Sequence, residues 1–304
     1  MDVSIVIVNW NTRDLLRDCL NSIQETVGDI ACEVIVVDNA SGDQSVAMLE
    51  KEFPEVRVIR NSENRGFGAA NNQAFAVMNG RYALLLNTDT ILVAGAVQQL
   101  FSFMEANPEA GMACGQLLNR DGTRQNSIAK FPNLLTLVLN VPLLEYLFPK
   151  YYPSKRYKRK IPVQVDSGIG ACLIIRKRAI DQAGGFDERY FFFFEETDLA
   201  LQMHLQGWKV YHVPSAFIYH LQGKSIGRNV RSRIEFYRSR YQFFRKWKNP
   251  LCFRFLSVIV ITRLILNYAL VFAGNLITFG AGAGLRERLS VYGNLILWHL
   301  HGCP

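Results

Sequence analysis

The stretch Phe191–Asp198 combines residue types that could perform acid–base chemistry, because three carboxylates closely follow four phenylalanines. The carboxylates belong to Glu195, Glu196 and Asp198. Mutual repulsion and an apolar wall should raise the pKa of at least one of them towards neutrality, as a general base requires. The N-terminus of a predicted helix, Leu199–Leu205, favours ionised carboxylates and acts in the opposite direction. A negatively charged helical turn would explain the acidic residues but not the aromatic run, so the pattern favours a catalytic site.

Two further residues have the chemistry of metal ligands. Asp89 follows the apolar run Tyr82–Asn87, and a carboxylate in that position can bind Mg²⁺ or Mn²⁺ together with waters and substrate phosphates. From the residue alone, a helix-capping aspartate is an equally good interpretation. His220 ends the predicted strand Ala216–His220 and precedes a basic, glycine-containing loop, Leu221–Ser225, which suits a phosphate. A lone histidine is more often structural, so this residue too leaves both interpretations open.

Short apolar runs alternate with amphipathic stretches over the first 90 residues. Four Val/Ile/Leu-rich runs lack polar alternation, as expected for strands buried on both faces: Val3–Trp10, Glu33–Asn39, Val56–Arg60 and Tyr82–Asn87. Helical spacing recurs at Leu15–Ile23, Gly68–Asn79 and Ala94–Asn107. Strand–helix–strand units at this pitch predict right-handed crossovers and a parallel, doubly wound sheet.

Each of the four predicted strands ends in asparagine, aspartate or both. The ends are Asn9 to Asn11, Asp38 to Asp43, Asn61 to Asn64, and Asn87 to Asp89. Ligands of open α/β sheets bind outside the carboxyl ends of the strands. One such end would be explained by turn or cap chemistry. Four ends that converge on one edge favour a binding site.

Beyond residue 110 the pattern changes. Val163–Arg176 predicts two short strands around its glycines, Gly184–Gln206 predicts a loop and a helix, and Trp208–His220 predicts another pair of strands. The block that begins at Leu251 is the most hydrophobic part of the chain. No Walker motif, Gly-x-Ser-x-Gly or Cys–His nucleophile pattern is present, and the glycines near Asn64–Asn71 lack the third glycine of a dinucleotide fingerprint.

Charge and cysteine content narrow the class of ligand and the location. The net charge of the 304 residues is +8, and basic residues crowd into Lys150–Lys160 and Lys224–Lys248. Both runs border apolar stretches, which favours a membrane interface or a phosphorylated ligand over a nucleic-acid groove. The six cysteines form no CxxC pair, and the N-terminus lacks a basic leader. We therefore expect no disulfides and no signal peptide, and we expect the protein to be cytoplasmic.

A segment near the C-terminus has the length and composition of a membrane-contacting element. Leu264–Leu285 contains 22 residues without a charge, and about 20 suffice to span a bilayer. Asn267, Asn275 and four glycines, with basic residues on both sides, favour a helix or hairpin in the interface over a crossing. A single span and a buried C-terminal helix stay open. The apolar stretch Leu134–Phe148 is a candidate second contact.

In this order, the motifs resemble those of the inverting glycosyltransferase family 2, whose members have the GT-A fold. The matching donor-side motifs are Val3–Asn11, Val36–Asp43, Asn64–Gly68 and Leu86–Asp89. The resemblance implies that a UDP- or dTDP-linked sugar is the donor. Asp38 would contact its base, and Asp89 would ligate Mg²⁺ or Mn²⁺ near its diphosphate. The implied donor-binding residues are Asn9, Asn11, Asp38, Asn39, Asn64, Arg65, Gly66, Asn87 and Asp89.

The acceptor-side blocks of the family also have counterparts. They are Gly170–Arg176, Gly184–Glu188 and Phe194–Asp198. The last resembles a Glu-Asp-x-Asp element whose second residue is the catalytic base. In this chain Glu196, a longer carboxylate, occupies that position, so Glu195 and Asp198 stay open as alternatives. His220 matches the family histidine that completes the metal site.

The resemblance implies a mechanism and a division of the chain. Glu196 would deprotonate the acceptor hydroxyl during a single in-line displacement at the anomeric carbon, while metal held by Asp89 and His220 stabilises the departing diphosphate. Residues 1–225 would form the α/β GT-A catalytic domain, with a mixed, Rossmann-like sheet, a donor half of about 1–110 and an acceptor half of about 111–225. Residues 226–304 would form a basic, hydrophobic, helical, membrane-associating region.

Within the family, the chain resembles rhamnosyltransferase-like members, which build bacterial cell-surface polysaccharide on polyprenyl-diphosphate carriers. This implies a glycan or lipid-linked acceptor, rhamnose as a candidate sugar, and a peripheral or monotopic position on the cytoplasmic face of the plasma membrane, with a single span possible. The main alternative is a non-catalytic nucleotide-sugar-binding scaffold of the same fold. A nucleotidyltransferase is disfavoured because the chain lacks a glycine-rich, lysine-containing triphosphate loop near its N-terminus.

Overall fold

The computed structural model describes residues 1–133, 135–136, 141–148, 151, 160–221, 230–279 and 282–302. The chain divides into two compact units. The first, here called the sheet unit, comprises Met1–Phe131 and Pro153–Ser225. The second, the helical unit, comprises Pro132–Tyr152 and Ile226–Pro304. The segment Pro132–Tyr152 therefore groups with the C-terminal helices, although it lies inside the predicted 1–225 domain.

The first half of the sheet unit is a parallel, doubly wound sheet. Its strands are β1 (Val3–Asn9), β2 (Cys32–Asp38), β3 (Arg57–Arg60) and β4 (Tyr82–Asn87), in the spatial order β3-β2-β1-β4. Helices α1 (Arg13–Thr26), α2 (Ser45–Glu52) and α3 (Phe67–Phe75) connect them. All three strand pairs are parallel. The four predicted strands are thereby confirmed, with ends that differ by at most one residue.

The second half makes the sheet mixed. Its strands are β5 (Thr90–Leu92), β6 (Ala110–Leu118), β7 (Ile128–Ala129), β8 (Val163–Val165), β9 (Ser167–Gly168), β10 (Cys172–Arg176) and β11 (Lys209–His220). Its helices are α4 (Ala96–Ala106), α6 (Lys177–Ala183) and α7 (Glu195–Leu205). Helix α5 (Val141–Leu147), which belongs to the helical unit, lies between β7 and β8 in the chain. Strand β10 inserts antiparallel between β4 and β6. Strand β11 lies parallel to β6 and antiparallel to β5 and β8. The order continues β4-β10-β6-β11-β5.

Two predictions for this half are wrong in detail. The expected pair of strands in Trp208–His220 is one strand, β11, whose pairing with β6 is irregular between Val213 and Phe217. The irregularity contains Pro214, which has no N–H to donate to a ladder. Gly115 faces it, and a Cβ there would lie 2.3 Å from Ile218 Cδ1. The region Val163–Arg176 contains three strands instead of two.

The core covers both faces of the sheet, which explains the unbroken apolar runs. On one face, Ile5 and Ile7 belong to a buried cluster that also contains residues of α1 and α4. On the other, Val6 and Leu85 belong to a second buried cluster, which also contains residues of α3, α6 and α7. Because alternate residues of β1 and β4 enter opposite clusters, neither face can carry the polar alternation of a half-exposed strand.

The helical unit contains α5 and three longer helices: α8 (Val230–Trp247), α9 (Pro250–Ile277) and α10 (Ala283–Leu300). Asn249 caps α9 by accepting a hydrogen bond from Cys252 N at 2.8 Å, and Pro250 begins the helix, a position at which proline loses no hydrogen bond. Among the described residues, α9 is the helix long and apolar enough to cross a membrane, with mean hydropathy 2.1 in its most apolar window. Only 17% of that window is buried within the protein.

Candidate active site

The carboxyl ends of β1 and β2 are joined by a network of polar side chains. Asn9 Nδ2 donates to Asp38 Oδ1 at 2.8 Å and to Ser41 Oγ at 3.0 Å. Ser41 N donates to Asp38 Oδ2 at 2.9 Å. Asp38 is buried, and both of its carboxylate oxygens accept hydrogen bonds from the protein. These bonds hold the carboxylate in one orientation at the edge of the sheet.

The turn after β1 is built on a left-handed residue. Asn11 has φ of 53°, its Oδ1 accepts from Gly42 N at 2.7 Å, and its N donates to Ser41 Oγ at 2.9 Å. Asparagine tolerates this backbone conformation better than most residues do. Trp10, which precedes it, is 45% exposed. A surface pocket of about 360 Å³ opens beside the turn, with the lining residues Asn11, Thr12, Arg13, Asp14, Leu15 and Asp43.

The predicted donor-side loop after β3 is held by amides. Asn39 Nδ2 donates to Gly66 O at 3.1 Å, and Asn61 Nδ2 donates to Asn39 Oδ1 at 2.8 Å. Asn64 Oδ1 accepts from Gly66 N at 3.0 Å, so this side chain shapes the loop. Arg65 is exposed, with its guanidinium 4.0 Å from the Glu188 carboxylate. Arg65 is the charged residue of the predicted loop Asn64–Gly68, and its side chain is exposed at the surface.

Gly66 allows this loop to touch the aromatic segment. Its φ is +83°, and a Cβ at this position would lie 2.4 Å from Phe191 O. The next residue, Phe67, donates its N–H to the same oxygen at 3.0 Å. Asn72 adds a second connection, donating to Phe186 O and accepting from Phe186 N, both at 2.9 Å. The predicted donor-side loop (Asn64–Gly68) and the aromatic segment that contains Phe191 are thus in direct contact, and together they form one wall of the candidate site.

Asp89 and His220 lie side by side, as the resemblance implies. Strand β5 pairs with β11 so that His220 lies opposite Thr90, and Leu221 N donates to Asp89 O at 2.8 Å. His220 Nε2 then lies 3.3 Å from Asp89 Oδ1. Both residues are buried, and Asp89 Oδ1 has no hydrogen-bond partner among the described residues.

Gln125, which the sequence did not reveal, determines the tautomer of this histidine. Gln125 Nε2 donates to His220 O at 2.5 Å, which directs Gln125 Oε1 towards His220 Nδ1 at 3.0 Å. Because that oxygen can only accept, Nδ1 carries a hydrogen, and Nε2 of a neutral ring presents a lone pair to Asp89. Two lone pairs at this distance need a proton or a cation between them. This arrangement is typical of a metal-binding histidine with its outer partner.

The pair fits a hard divalent cation. The described residues contain no group of three or more His, Cys, Asp or Glu side chains that could hold a metal. Mg²⁺ and Mn²⁺ do not require such a group, because waters and substrate phosphates complete their coordination. Asn87, also predicted in this region, donates its backbone N–H to Ala171 O at 3.1 Å. Its side chain makes no hydrogen bond to the described part of the chain. Residues 222–225 of the predicted phosphate loop lie outside the described residues.

The acidic residues belong to helix α7, which begins at Glu195, four residues earlier than predicted. Phe193 and Phe194 precede it with φ of 68° and 69°. This conformation is unfavourable for bulky residues, and such strain is concentrated at functional sites. Its structural effect is to turn the chain sharply so that Glu195 and Glu196 enter the protein at the first turn of the helix.

Burial governs the ionisation of both glutamates. It raises the pKa of Glu196 to about 7, although hydrogen bonds from backbone N–H groups, including those of Thr197 and Gly170, act in the opposite direction. Burial, followed by the charge of Glu196, raises the pKa of Glu195 well above its ordinary value. Oε2 of each side chain is shielded from solvent and makes no hydrogen bond to the described residues.

A short chain of contacts links Glu196 to the strand end that carries Asp89. The backbone N–H of Gly170 lies close enough to the Glu196 carboxylate to lower its pKa, and a Cβ on Gly170 would lie 3.9 Å from Glu196 Cδ. Ala171, the next residue, accepts the hydrogen bond from Asn87 N. Because β10 runs antiparallel to β4, this crossing places Gly170 at the carboxyl end of β4. The Glu196 carboxylate and the Asp89–His220 pair therefore lie at the same edge of the sheet.

Asp198 occupies a different environment from its two acidic neighbours. It is fully buried and accepts hydrogen bonds from the Tyr190 hydroxyl at 3.1 Å and from Gln202 Nε2 at 2.7 Å. Burial, followed by the charge of Asp198, raises the pKa of the Tyr190 hydroxyl, which therefore stays a donor. These contacts anchor the loop before α7 to the helix, so Asp198 is a positioning residue by its surroundings.

Comparison with known proteins identifies relatives in sequence and in fold. A family model described as Glycosyl transferase family 2 matches residues 4–184, more than half of the chain. The N-acetylglucosaminyl-diphospho-decaprenol L-rhamnosyltransferase of Mycobacterium tuberculosis is 28% identical over 239 residues, which are 72% of this chain and 78% of that protein. The poly(ribitol-phosphate) beta-glucosyltransferase of Bacillus spizizenii is 32% identical over 127 residues, 40% of this chain and 20% of that one.

Solved structures agree with the fold. S. aureus TarS 1-349 aligns with a TM-score of 0.55 at 15% identity, covering 86% of this chain and 66% of that one. GalNAc-T7, solved with UDP, GalNAc and Mn²⁺, aligns with a TM-score of 0.56 at 16% identity, covering 73% and 45%. The mixed sheet and these neighbours confirm the GT-A fold. The family match covers the ends of β1 to β4 and Asp89, and it ends before Glu195, Glu196 and His220. The chain belongs to glycosyl transferase family 2.

Proposed function

We propose that this glycosyltransferase moves a sugar, with rhamnose the first candidate, from a nucleoside-diphosphate sugar to a saccharide linked to a polyprenyl diphosphate. The observation that carries the reaction is the contact chain from Glu196 through Gly170 and Ala171 to the strand end bearing Asp89. These contacts support a site in which Glu196, which can accept a proton, lies at the same edge of the sheet as Asp89 and His220, which can bind the cation of a diphosphate. The sugar and acceptor are suggested by the M. tuberculosis relative, whose name describes both.

The donor would bind along the carboxyl ends of β1 to β4. Asp38 and Asn11, held by the hydrogen bonds around Ser41, would meet the nucleoside, and exposed Trp10 offers a flat apolar surface for its base. Arg65 would approach the diphosphate from the facing loop. Asp89 and His220 would hold Mg²⁺ or Mn²⁺, which when bound neutralises charge on the departing diphosphate.

Glu196 would act as the general base in a single displacement that inverts the anomeric carbon. Its carboxylate takes the proton of the acceptor hydroxyl as that oxygen bonds to the anomeric carbon. The bond from this carbon to the diphosphate oxygen breaks on the opposite face, and its electron pair leaves with the nucleoside diphosphate. A pKa of about 7 leaves much of Glu196 ionised at neutral pH while keeping it basic enough to accept the proton.

The helical unit would attach the enzyme to the cytoplasmic face of a membrane as a monotopic protein. Residues 230–302 contain eleven lysines and arginines but only two acidic residues, an excess of nine positive charges in a chain of net charge +8. Helix α9 exposes large apolar side chains along its length, among them Phe255, Val258, Leu266 and Leu270. Basic charge beside exposed apolar surface suits an interface with anionic lipid. Arg263 divides α9 near its middle, which favours this arrangement over a span.

The test of the reaction uses the full chain with a polyprenyl-diphosphate-linked saccharide and a panel of UDP- and dTDP-sugars in the presence of Mg²⁺ or Mn²⁺. We expect release of nucleoside diphosphate and a lengthened acceptor with one donor, and loss of both in the Glu196→Gln variant. A non-catalytic scaffold would bind a nucleotide sugar equally well in both forms and release nothing. Failure of every donor to stabilise or react would contradict the proposal.

A further inference from the structure

One face of helix α9 carries a continuous line of exposed side chains, here called the α9 stripe. Its eight residues are spaced alternately four and three apart, all are exposed, and seven are apolar. The larger ones are Leu251, Phe255, Val258, Ile265, Phe272 and Leu276, each between 46% and 62% exposed. Thr262 and Ala269 complete the line. Spacing of three and four keeps residues on one side of a helix, so the stripe runs almost the whole length of α9.

The opposite face of α9 packs within the helical unit. Its buried residues are Leu256, Val260 and Leu264, which are spaced four apart and lie about half a turn from the stripe. Gly274, also away from the stripe, approaches α10, and a Cβ added there would lie 3.7 Å from Leu285 Cδ1. Helix α9 therefore has one side that faces protein and one apolar side that is left exposed.

The polar and charged groups of α9 are placed so that they do not interrupt the stripe. Ser257 Oγ donates to Phe253 O at 3.1 Å, and Asn275 Nδ2 donates to Val271 O at 3.0 Å, so both donors are satisfied by the backbone of the helix itself. This lowers the cost of placing the helix where water is scarce.

Two arginines lie beside the stripe and not on it. Arg254 and Arg263 are exposed, and at about 100° per residue they fall on opposite flanks of the line. Arginine side chains in such positions can extend to lipid headgroups while the helix body contacts acyl chains. Arg263 also lies about 20 Å from either end of α9, which would be the centre of a span, where a charge is costly.

Charge favours a bilayer over a second copy of this chain as the partner of the stripe. Residues 230–302 contain eleven lysines and arginines and two acidic residues. Two copies joined along their stripes would bring these like charges together, which is unfavourable. The surface of an anionic bilayer attracts the same charges and offers apolar chains to the stripe.

We propose that α9 lies parallel to the surface of an anionic bilayer, with the α9 stripe among the upper parts of the acyl chains. Its protein-facing side, with Leu256, Val260 and Leu264, is directed away from the membrane. The inference rests on the proposed membrane attachment, of which it specifies the contact face and the orientation, and it is independent of the transfer reaction.

The first test measures partition of the full chain onto vesicles of phosphatidylcholine mixed with phosphatidylglycerol. Leu251→Ser and Leu276→Ser each remove an apolar side chain at one end of the stripe. Leu205→Ser is the matched control, because this leucine of the sheet unit is 64% exposed, against 62% and 61% for the other two. We expect each stripe variant to bind about tenfold more weakly and the control to bind like wild type. All three side chains are exposed, so the variants should fold, which thermal unfolding checks.

The second test measures depth. A fluorophore is attached by cysteine substitution at Phe255, Ile265 or Leu276, with the other reactive cysteines changed to serine, and nitroxide-labelled lipids quench it. For a helix in the plane of the membrane, nitroxide high on the acyl chain quenches all three positions equally and more strongly than nitroxide at the end of the chain. A span would place Ile265 deepest, and entry by one end would place Leu276 deepest.

The outcomes separate this inference from the others. Either of the unequal depth patterns overturns it, as does a loss of binding in Leu276→Ser without one in Leu251→Ser. Sedimentation of a dimer whose stripe is shielded without vesicles would assign the stripe to a second copy and also overturn it. If the wild type does not bind these vesicles, the attachment and its orientation fall together, whereas sugar transfer to a soluble acceptor would leave the enzymatic proposal standing.

Discussion

Nε2 of His220 and Oδ1 of Asp89 lie 3.3 Å apart in the interior of the sheet unit, and the described residues place no hydrogen-bond donor on that oxygen. The position of the imidazole is set by β11 pairing with β5, and its tautomer by Gln125. The oxygen and nitrogen that face each other are both acceptors in the neutral ring. Such a pair is costly to bury unless a cation occupies the space that both lone pairs address.

Replacing Gln125 by leucine should weaken metal binding without removing a ligand. Without the Oε1 acceptor, His220 is free to adopt the other tautomer or rotate, and loss of such an outer partner weakens metal affinity by about 10- to 100-fold. Titration of Mn²⁺ into the protein with nucleoside diphosphate measures the change. Asp89→Asn removes a ligand and should weaken binding more. Unchanged Mn²⁺ affinity in Gln125→Leu would contradict the assigned role of the glutamine.

Replacing Glu196 by glutamine should lower kcat by about 10²- to 10⁴-fold, because an amide cannot accept the proton of the acceptor hydroxyl. Donor affinity should persist, since the donor edge is built by other residues. Wild-type activity should rise with pH around a midpoint of about 7, as the carboxyl group loses its proton. Steady-state kinetics across pH with saturating donor provides the measurement. Glu195→Gln is the matched control on the neighbouring carboxyl, and it should retain more activity.

Ionisation of Glu196 should also lower the stability of the folded protein as pH rises, whereas it raises activity. Because the folded pKa of Glu196 is raised to about 7 from an ordinary 4.5, the folded protein binds an extra proton between these values and becomes less stable as pH rises through them. Glutamine cannot ionise, so Glu196→Gln should unfold at a higher temperature than wild type at pH 8 and at a similar temperature at pH 4.5. Thermal unfolding at the two pH values checks this. A variant with no such difference would mean that the carboxyl is not buried in the folded protein.

Gly66→Ala should disrupt the wall formed by the donor loop and the aromatic segment. The added Cβ would lie 2.4 Å from Phe191 O at a φ of +83°. Gly122→Ala is the matched control, because Gly122 has φ of +78° with nothing within 4 Å of an added Cβ. The control should lower the free energy of unfolding by about 1 kcal/mol from backbone strain alone, and Gly66→Ala by about 3 kcal/mol or more. Denaturant unfolding compares them, and equal values would show that the close approach does not matter.

The sequence by itself determined the first four strands, the polar character of their ends and the acidic run after the phenylalanines. These features are local, because a strand buried on both faces must be apolar at every position and a parallel sheet must gather its carboxyl ends at one edge. Residue type and position along the chain therefore suffice to propose Asp38, Asp89 and the acidic run Glu195–Asp198 as candidate site residues. The resemblance added the pairing of Asp89 with His220, which lies beyond what spacing along the chain can predict.

The tertiary structure decided which of these residues meet and what state they are in. The insertion of β10 beside β4 brings Gly170, which lies next to Glu196, to the strand end that carries Asp89. The pairing of β11 with β5 brings His220 to Asp89, and Gln125 is hydrogen-bonded to that histidine. The three acidic residues look equivalent in sequence, yet Asp198 is held by two side-chain donors, whereas the described residues offer Glu196 only backbone donors. Burial and hydrogen bonding set a carboxyl pKa, and both depend on neighbours that are distant along the chain. For that reason, local pattern could propose the base but not select it.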